Sequence, residues 1–178
     1  MSTSLSPDQI TIAVTVYDRR QYLLQAVRSA LNQTVPVRVM VVEDCGPDPT
    51  LQGCVKEQFG SLVEYVHNPR HRGLFGNMNA CLELCPTPWL SILHDDDYLA
   101  PEFVETMLEL HRQFPDGGLY FGGTTMVDEN GDSLWEWPSP ALPERWRRVT
   151  LQDVKWTTPF AFPGQFFKIE DALALNQA

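Results

Sequence analysis

Asp95, Asp96 and Asp97 follow directly on an apolar run, Trp89-Leu90-Ser91-Ile92-Leu93. Adjacent carboxylates repel, and the repulsion grows where water is scarce. A divalent cation would reward such a cluster. Aspartate oxygens are hard ligands suited to Mg2+ or Mn2+, and a cation of that kind commonly also holds substrate phosphates. Two more apolar runs end in acids: Ile10 to Tyr17 leads into Asp18, and Val37 to Val42 into Glu43-Asp44. Their opposite ends, at Gln9, Pro36 and Pro88, carry no charge.

The elements that must position these acids alternate. Strand-like runs cover Ile10 to Tyr17, Val37 to Val42, Leu62 to Val66, Trp89 to Leu93 and Leu119 to Met126. Between them, helical spacing covers Arg20 to Asn32, Asp48 to Phe59, Leu74 to Leu84 and Pro101 to Phe114. Alternation of this kind predicts an α/β fold with a mainly parallel sheet and helices on both faces. Ligands in such sheets bind at the carboxyl ends of the strands. Three strands would therefore deliver carboxylates to one rim. After the fifth strand the pattern changes: Asn130-Gly131 reads as a hairpin turn, and Trp135, Trp137, Trp146 and Trp156 follow among prolines. Gln165 to Ile169 reads as a last strand and Glu170 to Asn176 as the start of a helix.

The chain has 178 residues, 43% of them hydrophobic, enough for one domain with its own core. Thirteen basic against 23 acidic residues give a net charge of −10. Such a surface repels nucleic acid and anionic membrane. No apolar stretch approaches the roughly 20 residues of a membrane span, and Met1 to Gln9 lacks the charged-then-apolar order of a signal peptide. The expected location is cytoplasmic. Cys45, Cys54, Cys81 and Cys85 match no zinc spacing and are expected to be free thiols.

Four blocks then carry a resemblance to the family 2 glycosyltransferases, nucleotide-sugar enzymes of the GT-A (Rossmann-like) fold. They are Val14 to Arg19 with Ser29 to Thr34, Val41 to Gly46, Asn68-Pro69 through Gly73 to Asn79, and Leu93 to Pro101. The last is similar to the family's "D-x-D-D" metal motif. The chain departs from the family pattern at Asp18 (usually Asn), Glu43 (usually Asp), His94 (often the first Asp) and Met78 (often Arg).

The resemblance implies a sugar transfer from a nucleotide-sugar donor, a UDP-sugar, to an unknown glycan, lipid or protein acceptor, with Mg2+ or Mn2+ and with inversion. It implies a nucleotide-sugar-binding half at 10–126 and the start of an acceptor-side half at 127–178. The nucleotide-sugar site would comprise Thr15, Tyr17, Asp18, Asp44, Arg72, Asn79, Asp95 and Asp96. Asp44 would accept a hydrogen bond from the base, since a carboxylate is an acceptor only. Asp96 and Asp97 would face the metal. The family's catalytic base lies beyond the segment that Phe166 to Asn176 resembles, so the C-terminal part is expected to be truncated or reduced and no catalytic residue is assigned. Glu170 and Asp171, the late acid pair, are the candidates, though both also suit a helix's first turn. The alternative reading is a non-catalytic nucleotide-sugar-binding remnant, or an excised donor domain of a longer enzyme. His94 also reads as a strand-end residue bonded to backbone.

Overall fold

The computed structural model describes residues 5–137 and 164–175. The first strand, β1 (Ile10–Val16), is buried at every position. Its near-continuous run of β-branched residues, broken only by Ala13, suits a strand covered on both faces. It lies between β2 (Arg38–Glu43) and β4 (Trp89–His94), both parallel to it. β3 (Val63–His67) extends the parallel set beyond β2. The helices α1 (Arg20–Leu31), α2 (Leu51–Phe59), α3 (Gly73–Leu84) and α4 (Phe103–Gln113) fill the crossovers.

The sheet has two covered faces because strand side chains alternate. Ile12, Val14, Val39 and Val41 join a core with Leu23 and Val27 of α1, Leu51 and Val55 of α2, and Val104 and Met107 of α4. Ala13, Met40, Val42, Leu90 and Ile92 pack on the other side against Ala80 and Cys81 of α3. Burial pushes the Cys81 thiol up to about 12, so it stays protonated and acts as a small apolar group. All four cysteines are free.

The far side of β4 differs from a simple parallel sheet. The run from Leu119 to Met126 is two strands, β5 (Leu119–Phe121) and β6 (Thr124–Val127), separated by Gly122-Gly123. β6 leaves the main sheet and pairs with β7 (Ser133–Trp137) through the Asn130-Gly131 turn. β8 (Gln165–Lys168) then inserts antiparallel between β4 and β5, giving the order β3-β2-β1-β4-β8-β5. Phe166 anchors it, stacked on Trp89 at 4.9 Å between ring centres. The last helix is α5 (Ile169–Leu175). α2 starts three residues later than expected because Asp48 bonds the Thr50 N–H (2.9 Å) ahead of it. Trp135 is half exposed, a surface position rather than core. Trp146, Trp156 and their neighbouring prolines lie outside the described residues.

Candidate functional site

The strand order β2-β1-β4 sets three acidic strand ends side by side, as the sequence implies. The loops are locked to one another. Asp44 N–H donates to Val16 O at 2.9 Å, and Asn68 N–H to Glu43 O at 2.8 Å. A Cβ added to Gly46 would sit 1.6 Å from Tyr17 O, so only glycine lets the second loop approach the first so closely.

Asp95 is buried, and Asp96 is exposed beside it. Arg19, at the N-terminus of α1, bridges them: Nη2 to Asp95 Oδ1 is 2.6 Å and Nη1 to Asp96 Oδ2 is 2.5 Å. Burial nevertheless raises the Asp95 carboxyl above its ordinary value, with Arg19 opposing. Burial and the Asp96 charge raise Asp97 likewise. Burial works against the Arg19 charge, but Asp95 and Asp96 outweigh it and raise its pKa. These acids floor a cleft of about 480 Å³ whose far wall is the β6–β7 turn, with Asp128, Glu129 and Asn130.

Asp44 is buried on the neighbouring loop, and its carboxylate is engaged. Oδ1 accepts from the Arg72 N–H at 2.7 Å, and Oδ2 from the Gly73 N–H at 2.8 Å. A carboxylate there answers the unpaired N–H groups that open α3. His71 approaches Oδ2 at 2.9 Å, and its ring lies 4.7 Å from that of Tyr17. Glu43, also buried, accepts from Tyr65 Oη (2.6 Å) and Gly46 N–H (3.1 Å) and meets His67 Nδ1 at 3.0 Å. Burial, then Glu43, pushes the Tyr65 hydroxyl far up, so it remains a donor.

Tyr17, Asp18, Asp44, Asp95, Asp96 and Asp97 thus share the rim. Thr15 is buried just beneath it, and its Oγ1 meets His94 Nδ1 at 3.0 Å. His94 is therefore tied to a side chain, not only to backbone. The remaining candidates lie elsewhere. The Arg72 side chain turns along α3 to Glu83, with contacts of 3.0 and 3.1 Å. Only its backbone N–H serves the rim. Asn79 lines a second, largely apolar cavity with Phe75, Met78 and Phe167.

Glu170 and Asp171 lie away from the rim. β8 runs antiparallel to β4 with Lys168 opposite Trp89, and Ile169 N–H donates to Pro88 O at 3.0 Å. Both acids therefore follow β8 out at the opposite edge of the sheet from Asp95. Glu170 pairs with Lys168 (2.9 Å), and Asp171 borders the apolar cavity. The rim residue that sequence reasoning left without a role is Arg19. The signal for Arg19 is a cation directly after Asp18 where an acidic rim needs one.

The model of the glycosyl transferase family 2 matches residues 11–173. The chain belongs to glycosyl transferase family 2. Among curated proteins, this family 2 chain is similar to Escherichia coli chondroitin synthase, 25% identical over 135 residues, 72% of this chain and 19% of that protein. It is 32% identical over 106 residues to the succinoglycan biosynthesis protein ExoO of Rhizobium meliloti, 58% of this chain and 29% of that one. It thus spans less than a third of either relative. Residues 1–349 of S. aureus TarS, solved with UDP-GlcNAc, superpose at a TM-score of 0.73 with 19% identity, over 94% of this chain and 47% of that one. The mannosyltransferase PcManGT from Pyrobaculum calidifontis, solved with GDP-Man and Mn2+, gives 0.66 at 17% identity, over 96% and 49%. These likenesses concern the fold, which is GT-A. Among the described residues no helix is long and apolar enough to cross a membrane.

The rim's chemistry fits a divalent cation in one form. Among the described residues no group of three or more His, Cys, Asp or Glu side chains is arranged to hold a metal. Asp95 and Asp96 nevertheless both face one cation, the Arg19 guanidinium. A Mg2+ or Mn2+ held by one or two carboxylates keeps waters and takes the rest of its shell from phosphates.

Proposed function

We propose that this family 2 domain binds a nucleotide sugar, a UDP-sugar, on the acidic rim and transfers the sugar with inversion to a glycan, lipid or protein acceptor, in dependence on Mg2+ or Mn2+. The observation that carries the reading is the cleft floored by Asp95, Asp96 and Asp97 at the carboxyl end of β4, on the same sheet edge as the carboxyl ends of β1 and β2. Asp96 and Asp97 would hold the metal, and Asp95 would orient the ribose side. When bound, the cation stabilises charge on the departing diphosphate. Tyr17 offers the base a ring to stack on, and Asp18 and Thr15 border it. Asp44 Oδ2 would accept the base N–H after His71 gives way, since four donors now crowd that carboxylate. Residues 10–126 form the donor half in this reading and 127–178 begin the acceptor side.

Titration calorimetry with UDP, with and without Mn2+, tests it. Binding should require Mn2+, and Asp96→Ala should abolish it. Equal binding by that variant would sink the metal assignment. One observation favours a second reading, donor binding without catalysis: Glu170 and Asp171 stand at the opposite edge of the sheet. Sugar transfer by this chain would eliminate that reading.

A further inference from the structure

Asp95 and Asp96 already have a cation. Arg19 donates to both oxygens of Asp95, through Nη2 at 2.6 Å and Nε at 3.3 Å, and to Asp96 Oδ2 through Nη1 at 2.5 Å. A fork that engages two neighbouring carboxylates is strong and directional. It takes Asp96 Oδ2, an oxygen of one of the two proposed metal ligands, so guanidinium and metal compete for that carboxylate. Arg19 is also placed to leave. Its side chain is half exposed, and it stands at the N-cap of α1. Arg20, the next residue, is turned away to Asp48 and Thr50.

We propose that Arg19 is a displaceable counter-cation: it neutralises Asp95 and Asp96 while the metal is absent, yields Asp96 when the metal arrives, and swings onto the donor's diphosphate. The second movement rests on the nucleotide-sugar reading; the first does not. Arg19 lines the same cleft as the three aspartates, so the phosphates would come to it without a backbone rearrangement. The exchange couples metal to nucleotide. A metal alone must evict Arg19, whereas a metal with a diphosphate gives Arg19 a new anion.

Mn2+ alone, then UDP at saturating Mn2+, titrated into the parent, Arg19→Ala, Arg19→Gln and Arg20→Ala, decides it. Thermal melts confirm that each variant is folded, and the glutamine variant retains the side-chain stem if alanine does not fold. Both Arg19 variants should bind Mn2+ about three- to tenfold more tightly, the scale of a partly exposed ion pair released from competition. Arg20→Ala removes the same charge without vacating the ligands, and should change Mn2+ affinity less than about twofold. UDP at saturating Mn2+ should bind the Arg19 variants several-fold more weakly. Unchanged or weaker Mn2+ binding in the Arg19 variants, equal tightening in Arg20→Ala, or no measurable Mn2+ binding in any protein overturns the exchange. If the Mn2+ pattern appears but UDP does not bind the parent, the nucleotide reading fails and the competition stands. If UDP and Mn2+ bind the parent and Mn2+ affinity ignores Arg19, the competition fails and the nucleotide reading stands.

Discussion

Replacing Asp44 by alanine separates two roles that the geometry superimposes. The carboxylate is buried and accepts the N–H groups of Arg72 and Gly73 at 2.7 and 2.8 Å. A hydrogen bond to an ionised group contributes about 1.5–3 kcal/mol. Arg72 and Gly73 are only partly buried, so water can replace part of the loss, and the lower figure applies to each bond. Release of a desolvated charge offsets some of it. The expected net cost is about 2–3 kcal/mol, or roughly 5–10 °C in Tm for a domain of this size. Asp44→Asn keeps one acceptor oxygen but turns an NH2 toward the other N–H, and should fall between. Thermal melts and urea midpoints read the cost, and UDP calorimetry runs alongside. A Tm within about 1 °C of the parent, with UDP binding lost, would refute the capping argument and leave Asp44 as a ligand group alone.

Other outcomes follow from the same geometry. Gly46→Ala places a Cβ 1.6 Å from a backbone oxygen that cannot yield, so it should cost more than the usual 1–3 kcal/mol of overpacking and weaken UDP–Mn2+ binding by displacing Tyr17, read by melts and calorimetry. Phe166→Ala should cost about 3–5 kcal/mol by urea unfolding, because the ring is buried and stacked on Trp89 between β4 and β5. Burial lowers the His111 pKa below 6.5, so the unfolded chain binds the proton more readily; stability is fully present above about pH 6.5 and declines as pH falls toward the folded value, and His111→Gln should flatten that decline in urea midpoints between pH 7 and 5. Among the described residues Ser91 Oγ is buried without a partner, so Ser91→Ala should be neutral or stabilising by up to about 1 kcal/mol in the same assay.

The parallel strands were legible because each is a short apolar run bounded by acids, glycine or proline. β1 and β4 read correctly to within a residue or two. The rim was legible for the same reason, since parallel connectivity puts all carboxyl ends on one edge. What local pattern could not reveal was pairing across the chain. Nothing in Gln165 to Ile169 says that it inserts antiparallel between β4 and β5, a choice made by Phe166 meeting Trp89 and Tyr120. That insertion alone carries Glu170 and Asp171 to the opposite edge. Side-chain direction was hidden in the same way. Arg72 stands at the N-cap of α3 and Asn79 about two turns into it, yet one finds Glu83 and the other an apolar cavity.

Arg19 and His71, neither of them among the candidates read from the sequence, both lie directly on rim carboxylates. On the proposed reading this is the resting state of a site that takes an anion in a chain of net charge −10. A cleft with Asp95, Asp96 and Asp97 on one wall and Asp128 and Glu129 on the other would repel a free nucleotide diphosphate. On the proposed reading, the nucleotide's charge becomes acceptable only with a divalent cation beside it. That cation needs the Asp96 carboxylate Arg19 holds, and the base needs the Asp44 oxygen His71 approaches. Each displaced group then faces a part of the nucleotide, Arg19 the phosphates and His71 the base beside Tyr17. The rim is therefore better understood as a set of ion pairs awaiting exchange than as an open row of acids, and nucleotide and metal should bind each more tightly in the other's presence.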